Sequence, residues 1–307
     1  MGLPERPRKV GFAGVGMMGR GLAKHTLAAG HTVTLLVRSD AARERSRHLI
    51  EAGALTVPTA QALAQDCDVL VICVSGSPEV EAVMFGEHGL LRGLKAGTVV
   101  IDCSTSLPES TLRIAAAVAK ADASFLDAAM TGTPKEAEEG AVNLLIGGDR
   151  HVLDSVRELL SAFTRNIYPC GAVGSGHSVK LLHQFVVLSN AAVLAEAFSC
   201  AQKAGIDMRT LCNVIGSGGA NSTAFQRLRA YVEDGNDQLF RFSLSNALKD
   251  MQYYTRMASD AGAVSAIAGN VYNSYGVANN SGLGAQFVPH LVDSLNAMNG
   301  TARSSSK

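Results

Sequence analysis

The chain has 307 residues, 27 Lys and Arg against 27 Asp and Glu, with 47% hydrophobic and 18% charged residues. That composition excludes a disordered chain, and zero net charge excludes a binder that relies on a global positive field to hold nucleic acid or an anionic membrane surface. The length suits two domains of roughly 150 residues each, large enough for the core to need no staple.

The six cysteines, Cys67, Cys73, Cys103, Cys170, Cys200 and Cys212, form no C-x-x-C pair and no Cys/His zinc spacing. They read as reduced thiols of a cytoplasmic protein without a metal. No signal-like apolar run opens the chain, and no run of about 18 apolar residues predicts a membrane span. The polar tail, 301–307, is expected to fray.

In chain order, Lys9–Ala13 reads as an apolar strand that stops at glycines. A helix follows, with Leu22, Ala23, Leu27 and Ala28 on one side and Gly30 as its stop. Thr32–Val37 is β-rich, Ala41–Ala52 helical, Val69–Val74 a continuous apolar strand, and Thr98–Asp102 a strand after the Lys95-Ala96-Gly97 turn. Pro108–Ala119 is helical, and Phe125–Asp127 and Asn143–Ile146 are extended. Alternating strands and helices predict an α/β domain with a mostly parallel sheet covered on both faces.

The pattern changes after Gly171. One long apolar helix is predicted over 178–204, ending at Gly205, with Asp207 capping the next. Further helices are expected near 209–215, 221–232, 243–260, 263–279 and 287–298. The expected domains are therefore 1–171, dinucleotide-binding, and 172–307, all-α. The long helix is too apolar all round for a surface helix and is expected to be the spine of the second domain and part of a subunit interface.

Gly14-Val15-Gly16-Met17-Met18-Gly19 is a G-x-G-x-x-G turn between an apolar strand and a helix, the context of a Rossmann dinucleotide site. Gly14 permits the turn, Gly16 lets backbone approach a pyrophosphate, and Gly19 lets the helix pack on the strand. The helix N-terminus supplies N–H groups and positive dipole to phosphates. An NAD site usually carries an acid at the end of the second strand. Here that segment reads Val37-Arg38-Ser39, so guanidinium and hydroxyl favour a 2′-phosphate and hence NADP(H), with NAD(H) as the alternative. Arg45 and Arg47 read as a solvated helix face. Asp40 speaks for NAD(H) unless it caps the following helix.

Residues Val10–Ala23 resemble the N-terminal signature of the β-hydroxyacid dehydrogenase family, which includes 3-hydroxyisobutyrate dehydrogenases and tartronate, succinic and glyoxylic semialdehyde reductases. Four further segments follow in the family's order. Asp102-Cys103-Ser104-Thr105 resembles its D-x-S-T strand end, which places Thr105 at the nicotinamide. Asp127–Thr133 resembles its substrate loop, D-A-P-V-S-G-G. Gly174–Lys180 resembles G-x-G-x-x-x-K, which makes Lys180 the catalytic lysine. Phe242 with Lys249-Asp250 resembles its F…K-D helix, which reaches cofactor and substrate.

The resemblance implies an NAD(P)-dependent dehydrogenase or semialdehyde reductase acting on a small 3-hydroxy carboxylate, as a homodimer or homotetramer. It implies substrate contacts from Thr131, Gly132, Thr133, His183, Gln184, Phe242 and Asp250. Cofactor contacts would come from Gly14 to Gly19, Arg38, Ser39, Val74, Thr105 and Lys249. The chain departs from the pattern at His25, Ala129, Thr133 and His183-Gln184, where Asn, Pro, Gly and Asn-Asn are usual. These changes predict a reshaped pocket, for which plain 3-hydroxyisobutyrate is a poor substrate.

The chemistry stands without the name. Oxidising a hydroxy acid removes a hydride and a proton, so a base must sit beside the alcohol oxygen. A lysine near the start of an apolar helix suits that task, because partial desolvation brings its pKa toward the working range. His177, Lys180, His183, Gln184 and Val187 share one helix side by three- and four-residue spacing. Thr131-Gly132-Thr133 offers hydroxyls and backbone N–H groups as a carboxylate cradle. His177 to His183 also resembles the G-H-x-V-K-x-x-H of 6-phosphogluconate dehydrogenases, but Val187 stands where those carry Glu. An imine reductase is disfavoured by Lys180, and a non-catalytic nucleotide-binding module by the absence of a basic tail.

Overall fold

A computed structural model describes residues 7–301, which form parts of two compact units, Met1–Lys180 and Leu181–Lys307. The expected tail beyond Thr301 lies outside the described residues. The boundary expected at 171/172 falls just before the long helix, and the units part inside that helix.

The first unit alternates strands and helices: β1 (Lys9–Ala13), α1 (Gly19–Ala28), β2 (Thr32–Leu36), α2 (Asp40–Arg45), α3 (Arg47–Glu51), β3 (Leu55–Val57), α4 (Ala60–Asp66), β4 (Val69–Ile72) and α5 (Ser77–Phe85). It continues with β5 (Val99–Asp102), α6 (Pro108–Ala119), β6 (Ser124–Thr131), α7 (Pro134–Glu138), β7 (Val142–Gly147), α8 (Arg150–Ser161) and β8 (Thr164–Gly171). The sheet order is β3-β2-β1-β4-β5-β6-β7-β8, parallel except for the antiparallel β6–β7 pair. Both faces are covered, because side chains alternate across a strand. On β4, Val69 and Val71 enter one core, while Leu70 and Ile72 enter the other. That is why this strand reads as one apolar run.

Several local expectations change. On α1 the buried face is Leu22, Ala23 and Thr26, while Ala28 is exposed. Thr26 is buried without penalty because its hydroxyl donates to the Leu22 carbonyl at 2.8 Å. The single helix expected over 41–52 breaks at buried Ser46, whose hydroxyl donates to the Ala42 carbonyl. Strand β6 runs four residues beyond Asp127, so Ala128–Thr131 is strand rather than loop. The structure adds β3, α4, α5, α7 and α8 to the expected elements, and at the end of the sheet strand β8. The strand is polar, mostly solvent-facing, and tolerates Pro169 because it closes the sheet's edge.

The long helix α9 spans Ser175–Lys203, beginning in the first unit. The second unit continues with α10 (Met208–Ser217), α11 (Thr223–Asp234), α12 (Leu244–Asp260), α13 (Ala266–Ala278) and α14 (Leu291–Met298). Asp207, Ser222 and Ser243 cap α10, α11 and α12 by accepting backbone N–H groups. By length and composition alone, α9 could cross a membrane. Its Leu188, Ala191, Ala195 and Phe198 instead join the buried core with Phe225 and Tyr275. The Tyr275 hydroxyl donates to the Leu188 carbonyl at 2.9 Å, and burial raises its pKa.

Candidate active site

Strand order reverses between β1 and β4, where ligands of open α/β sheets bind beyond the strand ends. Gly14 sits there at φ +105°, and a Cβ on it would lie 2.2 Å from the Cys73 carbonyl. A Cβ on Gly19 would lie 2.2 Å from the Gly14 carbonyl, so only glycine brings α1 this close. A Cβ on Gly16 would meet nothing within 4 Å, so its backbone faces open space. Helix α1 has no side-chain cap and no acid in its first turn. This bare turn and helix end fit a dinucleotide pyrophosphate.

After β2, Arg38 is exposed, and the Ser39 hydroxyl caps α2 by accepting the Ala42 N–H at 3.2 Å. Asp40 opens α2 rather than capping it. Arg47 pairs with Glu44 at 2.5 Å on the solvated face.

Buried Asp102, at the end of β5, organises the next turn. Its Oδ1 accepts the Ser104 N–H at 2.9 Å and its Oδ2 accepts the Ser106 hydroxyl at 3.3 Å. The Ser104 hydroxyl in turn accepts the Val74 N–H at 3.0 Å, tying the ends of β4 and β5 together, with Thr105 half-buried beside it. Burial pushes the Cys73 thiol up to about 12 and Cys103 well above its usual range, so neither is a nucleophile here.

The start of α9 is locked to the sheet by buried Asp127. Its two oxygens accept the Gly174 N–H at 2.7 Å and the His177 N–H at 2.9 Å. A Cβ on Gly176 would lie 2.4 Å from the Leu145 carbonyl, so the helix rests directly on β7. Fully buried His177 places Nδ1 2.7 Å from the Thr111 hydroxyl and Nε2 3.9 Å from Asp102 Oδ2. Lys180 follows three residues later and is itself only 9% exposed.

Thr131 ends β6, and its hydroxyl accepts from Asn143 Nδ2 at 3.2 Å. Gly132 turns the chain at φ +125°. Thr133 caps α7 in a capping box with Glu136: the Thr133 N–H donates to Glu136 Oε2 at 2.8 Å, and the Glu136 N–H donates back to Thr133 Oγ1 at 3.4 Å.

In the second unit, Gln184 on α9 donates through Nε2 to buried Asp250 Oδ2 on α12 at 2.7 Å. Asp250 Oδ1 is 3.2 Å from Lys249 Nζ, which also stands 5.3 Å from the Tyr253 ring centroid. Gln184 Oε1 lies 3.3 Å from His183 Nδ1. The amide therefore bridges His183 and Asp250 instead of reaching out as a lone donor. Phe242 precedes α12, packs on the unit's core, and its carbonyl accepts the Val288 N–H at 2.8 Å. Phe185 stacks on Tyr254, 4.2 Å between centroids, across the same helix pair. Among the described residues no group of His, Cys, Asp and Glu could hold a metal ion.

Sequence reasoning missed Asp102, Asp127, Thr111 and His177 as a connected polar frame. Two acids in apolar strands that each run on toward a hydroxyl-bearing turn, Asp102 toward Ser104-Thr105 and Asp127 toward Thr131-Gly132-Thr133, are the available signal.

A family model for the NAD binding domain of 6-phosphogluconate dehydrogenase matches residues 9–171, and one for NAD-binding of NADP-dependent 3-hydroxyisobutyrate dehydrogenase matches 174–292. The chain is 34% identical over 199 residues to 2-hydroxy-3-oxopropionate reductase of Escherichia coli, covering 65% of this chain and 67% of the relative. It is 30% identical over 279 residues to L-threonate dehydrogenase of the same organism, covering 90% and 91%. The crystal structure of 3-hydroxyisobutyrate dehydrogenase from Salmonella typhimurium superposes with a TM-score of 0.81 at 27% identity, covering 92% of this chain and 98% of that one.

Proposed function

This chain belongs to the β-hydroxyacid dehydrogenase family of NAD(P)-dependent oxidoreductases, and from that premise we propose that it interconverts a small 3-hydroxy carboxylate and its semialdehyde by hydride transfer, with Lys180 as general acid and base. The observation that carries this reading is the seating of Lys180. It is nearly buried on a helix whose first turn is pinned by Asp127 and His177, and a base must be held this firmly to meet a substrate proton.

A bound nicotinamide supplies the hydride acceptor or donor. The Gly14–Gly19 turn and the start of α1 would hold its pyrophosphate, with Thr105 at the nicotinamide and Val74 and Lys249 as further cofactor contacts. In oxidation the Lys180 amine takes the hydroxyl proton as the carbon loses its hydride. In reduction the Lys180 ammonium returns that proton to the carbonyl oxygen. The Thr131 hydroxyl, whose lone pair is held by Asn143, keeps its hydrogen to donate to the substrate carboxylate. Gly132 and Thr133 shape the turn of that loop, and His183, Gln184, Phe242 and Asp250 supply the remaining substrate contacts. Arg38 and the Ser39 hydroxyl favour NADP(H).

Related enzymes from Escherichia coli are named for 2-hydroxy-3-oxopropionate and L-threonate, both small hydroxylated carboxylates. We infer a substrate of that class and a cytoplasmic homodimer or homotetramer.

Lys180→Ala tests the assignment. The expected result is a loss of about 10²- to 10⁴-fold in kcat, the usual share of acid–base catalysis, with cofactor binding retained. A kcat within tenfold of wild type removes Lys180 from the role.

A further inference from the structure

Two threonines flank Gly132, and they are used in opposite ways. Thr131 Oγ1 accepts from Asn143 Nδ2 at 3.2 Å, and Asn143 Oδ1 accepts in turn from Asn166 Nδ2 at 2.8 Å. That relay leaves the Thr131 hydrogen to point elsewhere. Thr133 is already spent. Its N–H and its hydroxyl both donate to Glu136 Oε2, at 2.8 and 3.1 Å. The same oxygen lies 3.3 Å from where a Gly132 Cβ would stand. The other oxygen, Oε1, is 4.0 Å from Arg165 Nη1 across the surface.

Glu136 is thus a carboxylate built into the loop that the sequence offers as a carboxylate cradle. The bonds holding it span three residues, so they form with little loss of chain freedom. A substrate carboxylate claiming the Thr133 donors would exchange one carboxylate for another and leave two like charges side by side. The exchange gains nothing, so Glu136 stays and the substrate carboxylate is left with the Thr131 hydroxyl.

Resting on the reading of Thr131–Thr133 as the substrate loop, we propose that Glu136 is a specificity-determining residue. Its fixed charge rejects substrates with a second carboxylate, and its remaining lone pairs accept from a hydroxyl or ammonium substituent. The substrate class is then a 3-hydroxy monocarboxylate carrying a donor at its second carbon.

The test uses one skeleton, HOCH₂–CH(R)–COO⁻, with four substituents: methyl (3-hydroxyisobutyrate), hydroxyl (glycerate), ammonium (serine) and carboxymethyl (2-(hydroxymethyl)succinate). Wild type and Glu136→Gln are assayed with both nicotinamides. Gln retains the capping box and removes only the charge, so the fold is preserved and checked by the thermal midpoint. Wild type is expected to favour glycerate or serine over the dicarboxylate in kcat/KM, and Glu136→Gln to shrink that ratio by about tenfold. If both proteins turn over the panel with the same ratio, or the variant discriminates more, Glu136 does not set specificity. If wild type turns over none of the four but does turn over L-threonate, this inference fails alone; if it turns over none of the five with either nicotinamide, the hydride-transfer reading fails with it.

Discussion

The two units hold their candidate site residues by different means. In the first, Asp102 and Asp127 grip backbone N–H groups and neighbouring hydroxyls. In the second, Gln184 meets Asp250 side chain to side chain, across 66 residues of sequence. Backbone donors sit where the fold puts them, so a carboxylate that caps them fixes a helix in place. A side-chain pair fixes only itself and leaves the helices to be set by apolar packing, here the Phe185–Tyr254 stack and the core around Phe198 and Tyr275.

That contrast predicts unequal damage. Asp127→Ala strands the buried Gly174 and His177 N–H groups, at about 1–3 kcal/mol for each unsatisfied donor. It is expected to lower thermal stability sharply and to reduce kcat, because Lys180 rides on the loosened helix. Gln184→Ala leaves Asp250 with its Lys249 partner at 3.2 Å and is expected to cost less than half as much stability. Thermal melts of both variants decide the matter. Equal losses would mean that the pinned helix start is no more important than the side-chain pair.

A second prediction sharpens the first unit alone. Arg38 is exposed and carries the expected preference for NADP(H) over NAD(H). Arg38→Ala should lower kcat/KM for NADP(H) by about tenfold to a hundredfold, one lost charge-assisted contact, and leave NAD(H) nearly unchanged. Equal losses with both cofactors would place Arg38 away from the 2′-phosphate. Better wild-type turnover with NAD(H) would turn attention to Asp40.

The same contrast explains what could be read from the sequence. Glycine positions, apolar strands and cap residues act locally, so the β1–α1 turn, the Pro108–Ala119 helix and the Asp207 cap were legible within a few residues. The Thr133–Glu136 box is equally local, with the capping acid three residues after the hydroxyl. Partnerships such as Thr111–His177, 66 residues apart, have no local trace. The sheet edge β8 was hidden because an exposed edge strand has no apolar alternation to show.

The smallest expected effect lies in the second unit, where side-chain pairing includes a histidine between two carboxylates. His290 Nδ1 is 2.9 Å from Asp293 Oδ2 and Nε2 is 3.2 Å from Asp237 Oδ2, with the Tyr231 hydroxyl also on Asp293. The hydrogen bond to Asp293 is the main cause that raises the His290 pKa above its ordinary 6.5, with Asp237 adding to it against partial burial. A raised folded-state value means that the charged form is favoured by folding. The stabilisation is therefore complete below the unfolded value of 6.5 and disappears as pH rises through the higher folded value. The imidazole is 23% exposed, so solvent screens the pair, and the gain is held to about 1 kcal/mol, roughly 2–4 °C in Tm. Wild type and His290→Gln are to be melted at several pH values from about 5.5 to about 8.5, spanning the ordinary histidine range. Wild type should be the more stable at the acid end, with the gap closing as pH rises. A gap that is constant, or that widens with pH, would show that His290 stays neutral between its carboxylates and that this cluster contributes packing rather than charge.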